Sequence, residues 1–242
     1  MAESYIREHK SSIFMCIIAF LIIAFIAAIA LFGVKYVNKI VNNNLVMSKN
    51  IERMKNEINL KFQTLSAGIT FDQKRKRTLL YLRDIISDIN PELKPSDAYE
   101  IAEVNLEHCD RFKRVDPLLL VAVQKVESTF NSKAVSTKGA LGINQIWPST
   151  GRILCRIAGW EYNKKALIDI EKSTYLAVLY LDLLHVEYKG TERLILADYN
   201  GGPKNAYLLS IGSDNCSKET QLYVENVLTF RDKLRKKMEK SI

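Results

Sequence analysis

The amino-acid sequence predicts a mainly α protein: a helical domain that carries one small hairpin and follows a single apolar helix near the N-terminus. Three observations lead there. The run Ile13 to Gly33 holds twenty-one residues without a charge. After it, apolar residues recur at steps of three and four in several long stretches, the spacing of helix faces. No series of alternating apolar and polar residues marks a set of strands, and no internal repeat is present. With 242 residues, 48% hydrophobic and 26% charged, the chain can bury a core, which excludes wholesale disorder and low-complexity classes.

Taken in order, residues 1–12 form a short polar tail. Residues 13–34 form the apolar segment, which as a helix of about 1.5 Å per residue covers roughly 30 Å, the hydrocarbon thickness of a bilayer. The uninterrupted continuation through Leu31, Phe32 and Val34 favours a membrane anchor. The competing reading is a cleaved secretory signal, because Arg7 and Lys10 precede the run and Ala28-Ile29-Ala30 has a small-x-small pattern. Charge does not orient the segment, since Lys35, Lys39 and Lys49 stand on its other side.

Residues 35–95 read as a helical stalk or linker. Met47, Ile51, Met54, Ile58, Phe62 and Leu65 form a stripe, but an Asn-rich start and an expected break at Ser66-Ala67-Gly68 argue against a coiled coil, which needs longer repetition. The cluster Lys74-Arg75-Lys76-Arg77 reads as a solvated face. An amphipathic stretch from Leu79 to Asn90 precedes Pro91 and Pro95, after which a helix is expected to begin near Ser96, capped by its side chain. Asp116-Pro117 is an N-cap followed by an N1 proline. The following LLLVAVQKVES is apolar nearly all round and belongs in the middle of a domain. Gly139–Ile146 frames the expected hairpin, and residues 169–188 and 217–238 read as further long helices. A domain over 96–232 and a basic tail over 233–242 complete the organisation.

The net charge of +8 lies in the flanks, because residues 101–230 hold fifteen basic and fifteen acidic side chains. A neutral core argues against a nucleic-acid partner. Of four cysteines, Cys16 lies in the apolar run; an oxidising compartment could pair two of Cys109, Cys155 and Cys216. No CxxC unit appears, and His9, His108 and His185 are isolated, so no metal site is expected.

Glu127 is the residue that does not fit its surroundings. It ends a helix that reads as buried, where both burial and the negative C-terminal pole disfavour a carboxylate. Its pKa is therefore expected to rise, as general-acid cleavage of a glycosidic bond requires. The alternative is a solvent-facing glutamate, or one paired with Lys125 or Lys133.

From Glu127 to Thr150 the chain reads ESTFNSKAVSTKGALGINQIWPST. This resembles the soluble-lytic-transglycosylase (SLT) pattern E-S-x-F-x-P-x-A-x-S-x-x-G-A-x-G-L-M-Q-I-x-P-x-T. Ala197 to Pro203, ADYNGGP, resembles the A-x-Y-N-A-G-P turn of that family, and Glu219 to Val224, ETQLYV, its E-T-x-x-Y-V segment. Three ordered motifs make the resemblance specific over roughly residues 100–232. Ser132 replaces a proline, Ile143-Asn144 replaces Leu-Met, and Gly201 replaces alanine; the Asn144 change is expected to alter a wall of the sugar cleft.

The resemblance implies an α+β lysozyme-like fold and cleavage of the MurNAc-GlcNAc β-1,4 bond of peptidoglycan without water, leaving 1,6-anhydromuramyl ends. Glu127 would act as acid and then base. Ser128 and Gln145 would line the cleft, Tyr199 and Asn200 would sit opposite the acid, and Glu219 and Tyr223 would hold sugar or position Glu127. Phe130 and Trp147 read as packing residues. No cofactor or metal is implied. The partners would be glycan strands and the membrane, with the N-terminus inside and the domain in the periplasm or facing the wall, or a secreted form after signal cleavage. Two other functions remain open: a goose-type-lysozyme-like muramidase with Asp198 or Glu187 as a second carboxylate, and a wall-binding component of a secretion, conjugation or virion apparatus.

Overall fold

A computed structural model describes the backbone of residues 2–241 and the side chains of residue 15 and residues 18–240. The expectations placed on the side chains of Arg7, His9, Lys10 and Cys16 lie outside them. The chain divides into two units, Met1–Phe71 and Asp72–Ile242.

The first unit is helix alone. Helix α1 spans Ala2–Ile89, and every described side chain up to Phe71 is exposed. It is long and apolar enough to cross a membrane, with a mean hydropathy of 2.6 over its most apolar window. The expected break at Ser66-Ala67-Gly68 does not occur: the helix runs through it. A single glycine costs a helix only about 1 kcal/mol, too little to interrupt a helix this long.

In the second unit the end of α1 is followed by α2 (Pro95–Phe112), α3 (Pro117–Ser128), α4 (Pro148–Ile157), a short 3-10 turn (Lys164–Leu167), α5 (Ile170–Glu187), α6 (Glu192–Ser210) and α7 (Lys218–Ser241). Asp116 caps α3, its carboxylate accepting from the Leu118 N–H, with Pro117 at the first helical position. The expected cap at Ser96 is not made. Lys94 holds the cap position without a side-chain bond, and the Ser96 hydroxyl donates to Asp97 instead. Pro95 explains the shift, because it takes the first helical position and places Ser96 one residue inside.

Helix α3 is the central element, buried from Leu118 to Gln124. One side packs Leu118 and Val121 against Leu82, Ile86 and Ile101. The other packs Leu119, Ala122 and Val123 against Leu196 and Ala197 of α6 and Val224 and Val227 of α7. Burial continues through Gln124; the last turn, Lys125 to Ser128, is half-buried, and Thr129 beyond it is exposed. Past residue 232, α7 remains built into the unit: Leu234 is buried, its carbonyl accepts from Tyr81, and Arg235 binds Asp116 at 2.7 Å. Arg75 of the basic cluster pairs with Asp110.

No strand forms among the described residues. The expected hairpin is reduced to two isolated antiparallel bridges, Val135 with Leu141 and Leu141 with Ile146. Pro148, two residues beyond, has no N–H to extend the ladder and instead starts α4. Gly142 in this turn has φ +75°, and a Cβ there would lie 1.8 Å from the Leu167 carbonyl oxygen, so only glycine fits. Cys109, Cys155 and Cys216 are all free and buried.

Candidate active site

Glu127 occupies the last turn of α3, and the chain then reverses through two successive left-handed residues, Thr129 (φ 52°) and Phe130 (φ 63°). Phe130 is fully buried, as a packing residue should be, and fixes this exit. Neither suggested lysine neutralises Glu127, which has no ion pair among the described residues. The Lys125 ammonium sits over the Phe230 ring instead.

Burial pushes the Glu127 carboxyl up from 4.5 to about 7, and the Glu219 charge adds to the rise. The Tyr223 hydroxyl works the other way, because a donor facing the carboxyl favours its charged form. That hydroxyl is buried without a hydrogen-bond partner of normal geometry, and its effect is outweighed by burial. The carboxyl thus stands half protonated near neutral pH, in reach of both roles of an acid-base catalyst.

A polar groove of about 460 Å³ is lined among others by Lys138, Trp147, Tyr199, Asn200, Glu219 and Thr220, and Tyr199 and Glu219 of this lining interact electrostatically with Glu127. Tyr199 joins the two: its hydroxyl donates to the Asn144 carbonyl at 2.9 Å, and its phenol pKa is raised first by burial and then by the charge of Glu127. Asn200 accepts from the Thr220 hydroxyl at 3.0 Å, which ties α6 to α7 across the groove floor. Glu219 projects into solvent and pairs with Lys138 at 2.7 Å. Helix α6 itself breaks at Gly202 (φ 77°, ψ 172°), where Pro203 restarts it, and the break presents Asn200 to Gly202 to the groove.

Tyr199, Asn200, Glu219 and Tyr223 are thus brought together around Glu127 or the groove. Ser128 and Gln145 are placed differently. The Ser128 hydroxyl donates to the Ile143 carbonyl at 2.8 Å. The Gln145 amide nitrogen serves the Gly142 and Ala134 carbonyls. Both brace the loop that carries Tyr199's acceptor. Asn144 is not a wall of the groove: its side chain is fully buried, receiving from Gln124 Nε2 and donating towards Ser173 and Thr174. Gln124 in turn exchanges two hydrogen bonds with Asn105, at 2.7 and 2.8 Å. An apolar environment forces this arrangement, since a buried amide left unpaired costs about 1–3 kcal/mol. The sequence signal was Gln124 itself, the one uncharged polar residue inside LLLVAVQKV. Trp147, expected to pack, is instead 44% exposed on the groove.

Asp198, a suggested second carboxylate, is buried with both oxygens engaged, by Tyr180 and by Tyr188. Glu187 is exposed at the end of α5. No group of three metal-ligating side chains occurs among the described residues. His108 is buried with neither ring nitrogen bonded, and burial lowers its pKa.

The family model for the transglycosylase SLT domain matches residues 107–209, the stretch that holds Glu127, the turn and most of the groove's lining. Over that stretch the chain is similar to the SLT family. Among its relatives, the endo-type membrane-bound lytic murein transglycosylase A of Klebsiella pneumoniae is 38% identical over 73 residues, covering 29% of this chain and 36% of that protein. The membrane-bound lytic murein transglycosylase C of Photorhabdus laumondii is 30% identical over 118 residues, covering 45% and 32%. The chain therefore spans about a third of the length of the curated relatives it matches. In fold, the chain is similar to an inactive mutant of the lytic transglycosylase Slt of Pseudomonas aeruginosa, with a TM-score of 0.51, 24% identity, and coverage of 57% of this chain and 24% of that one.

Proposed function

We propose that this protein is a membrane-tethered peptidoglycan lytic transglycosylase in which Glu127 serves first as acid and then as base. One observation carries the reading: a carboxyl with no ion pair, raised to about 7 by burial, sits beside an open polar groove in an SLT domain. The names of the relatives, lytic murein transglycosylases, support the substrate class.

Protonated Glu127 gives its proton to the oxygen of the MurNAc-GlcNAc bond as that bond breaks, and the substrate's acetamido oxygen helps to carry the oxocarbenium-like charge. The resulting carboxylate then takes the proton of the muramic C6 hydroxyl while that oxygen bonds to the anomeric carbon. A 1,6-anhydro ring forms, Glu127 is protonated again, and no water or metal enters the balance. The nucleophile is tethered beside its target, so its capture costs little entropy.

Asn200 and Glu219 hold sugar along the groove in this reading, and Tyr199 forms its wall. Tyr223 tunes the acid. Ser128 and Gln145 act indirectly, by bracing the loop. The membrane-bound character of the relatives and the apolar helix support residues 13–34 as an anchor, with residues 35–95 as stalk, 96–232 as catalytic domain and 233–242 as tail. The N-terminus then lies in the cytoplasm and the SLT domain faces the wall. The test is release of soluble muropeptides from purified sacculi by the full chain in detergent: wild type releases them and Glu127→Gln does not. Binding of sacculi without release would mark an assembly component instead.

A further inference from the structure

We infer that residues 37–69 form the seam of a parallel two-stranded coiled coil with a second copy of this chain. The inference is independent of the catalytic reading. Because α1 passes unbroken through Ser66 to Gly68, the apolar stripe continues past that point to Ile69, and on its N-terminal side it extends back to Val37. Val37, Asn44, Ile51 and Ile58 take the a positions of successive heptads, and Ile40, Met47 and Met54 the d positions between them. After Ile58 the stripe continues at Phe62, Leu65 and Ile69, the spacing left by a four-residue insertion, which coiled coils absorb by unwinding locally.

Apart from Asn44, these side chains are apolar and each is 43–70% exposed in the single chain. The opposite face is mostly polar, with Asn38, Asn42, Lys49, Glu52, Arg53, Asn56 and Gln63, and carries Leu45, Val46 and Leu60 among them. Nothing else in the first unit covers the stripe, since that unit consists of α1 alone. A solitary helix in water draws little stability from propensity and needs its apolar face buried.

Three features select a second copy as the occupant and two as the number. β-Branched residues at a, here Val37, Ile51 and Ile58, combined with d positions that are mostly not β-branched, here Met47, Met54 and Leu65 beside Ile40, favour two strands. A single a-position asparagine fixes register and dimeric state because it is satisfied only by its counterpart across the seam; Asn44 meets that need when an identical chain lies in parallel register. Finally, the seam begins directly after the apolar segment. Two copies anchored in one membrane are already parallel, level and at high effective concentration.

The experiment is disulfide trapping of the full chain in membranes, with Cys16→Ser in every sample. Seam variants Met47→Cys and Met54→Cys are compared with outward variants Lys49→Cys and Asn56→Cys. Seam positions should give roughly tenfold more covalent dimer than outward ones, because only they bring the Cα atoms within disulfide reach. Equal trapping at all four positions, or none, would overturn the proposal, as would trimers in light scattering of the wild-type protein in detergent. Asn44→Ile should add species larger than dimers; an unchanged dimer would count against the seam register. Ile51→Asp with Met54→Asp should abolish trapping at Met47→Cys, and persistence would place the association in the apolar segment instead.

Discussion

Replacing Glu127 by glutamine should stabilise the protein at alkaline pH and leave it nearly unchanged in acid. The folded carboxyl titrates near 7 rather than 4.5, so between these values the native state holds a proton that the unfolded chain has lost. Native stability therefore falls as pH rises through that window and levels off above 7. At about 1.4 kcal/mol per tenfold, the full loss is roughly 3 kcal/mol. Glutamine mimics the protonated acid in shape and carries no charge to desolvate, so Glu127→Gln escapes the loss. Urea denaturation at pH 4, 6 and 8, followed by the fluorescence of Trp147 and Trp160, reads the difference, since both tryptophans lie in the folded second unit. The expected difference between variant and wild type is near zero at pH 4 and roughly 2–3 kcal/mol at pH 8. A difference that stays constant across this range would refute the buried-acid argument.

Other substitutions test the surroundings. Tyr223→Phe removes the donor that favours the charged form, so the alkaline limb of kcat/KM, near pH 7 in wild type, should move upward with activity retained below it; a downward shift would contradict the assigned role. Asn144→Leu strands polar groups of Gln124, Ser173 and Thr174 and should cost about 2–4 kcal/mol in denaturant unfolding, whereas replacing Asn105, Gln124 and Asn144 together by leucine should cost much less. Gly142→Ala drives a methyl into the Leu167 carbonyl at positive φ and should cost roughly 3 kcal/mol or more, visible as loss of soluble folded protein.

Much of the fold was legible because its signals are local. Asp116 and Pro117 set the start of α3 through one cap and one missing N–H. The all-round apolar sequence from Leu118 to Val123 left no arrangement except a central helix, and that centrality made the acidity of Glu127 foreseeable. What was not legible depends on contacts distant in sequence. Asn144 looks like an exposed polar residue until Gln124, Ser173 and Thr174 are seen around it. Trp147 looks like core, but its backbone is the residue before a helix-starting proline at the groove's edge. The bridges around Leu141 show why a hairpin signal need not yield strands, since a proline two residues past the pair ends the ladder. Ser66-Ala67-Gly68 misled in the opposite sense, because turn-prone residues within a long helical context cost too little to break it.

The central claim is that Glu127 acts alone on a substrate that supplies its own nucleophile, and the mass of the products tests it most directly. Full-length protein in detergent digests purified sacculi, and mass spectrometry measures the muramic ends. The account predicts anhydromuramyl ends, one water lighter than reducing ends, and none from Glu127→Gln. Reducing ends from the wild type would contradict it and assign a water-using muramidase.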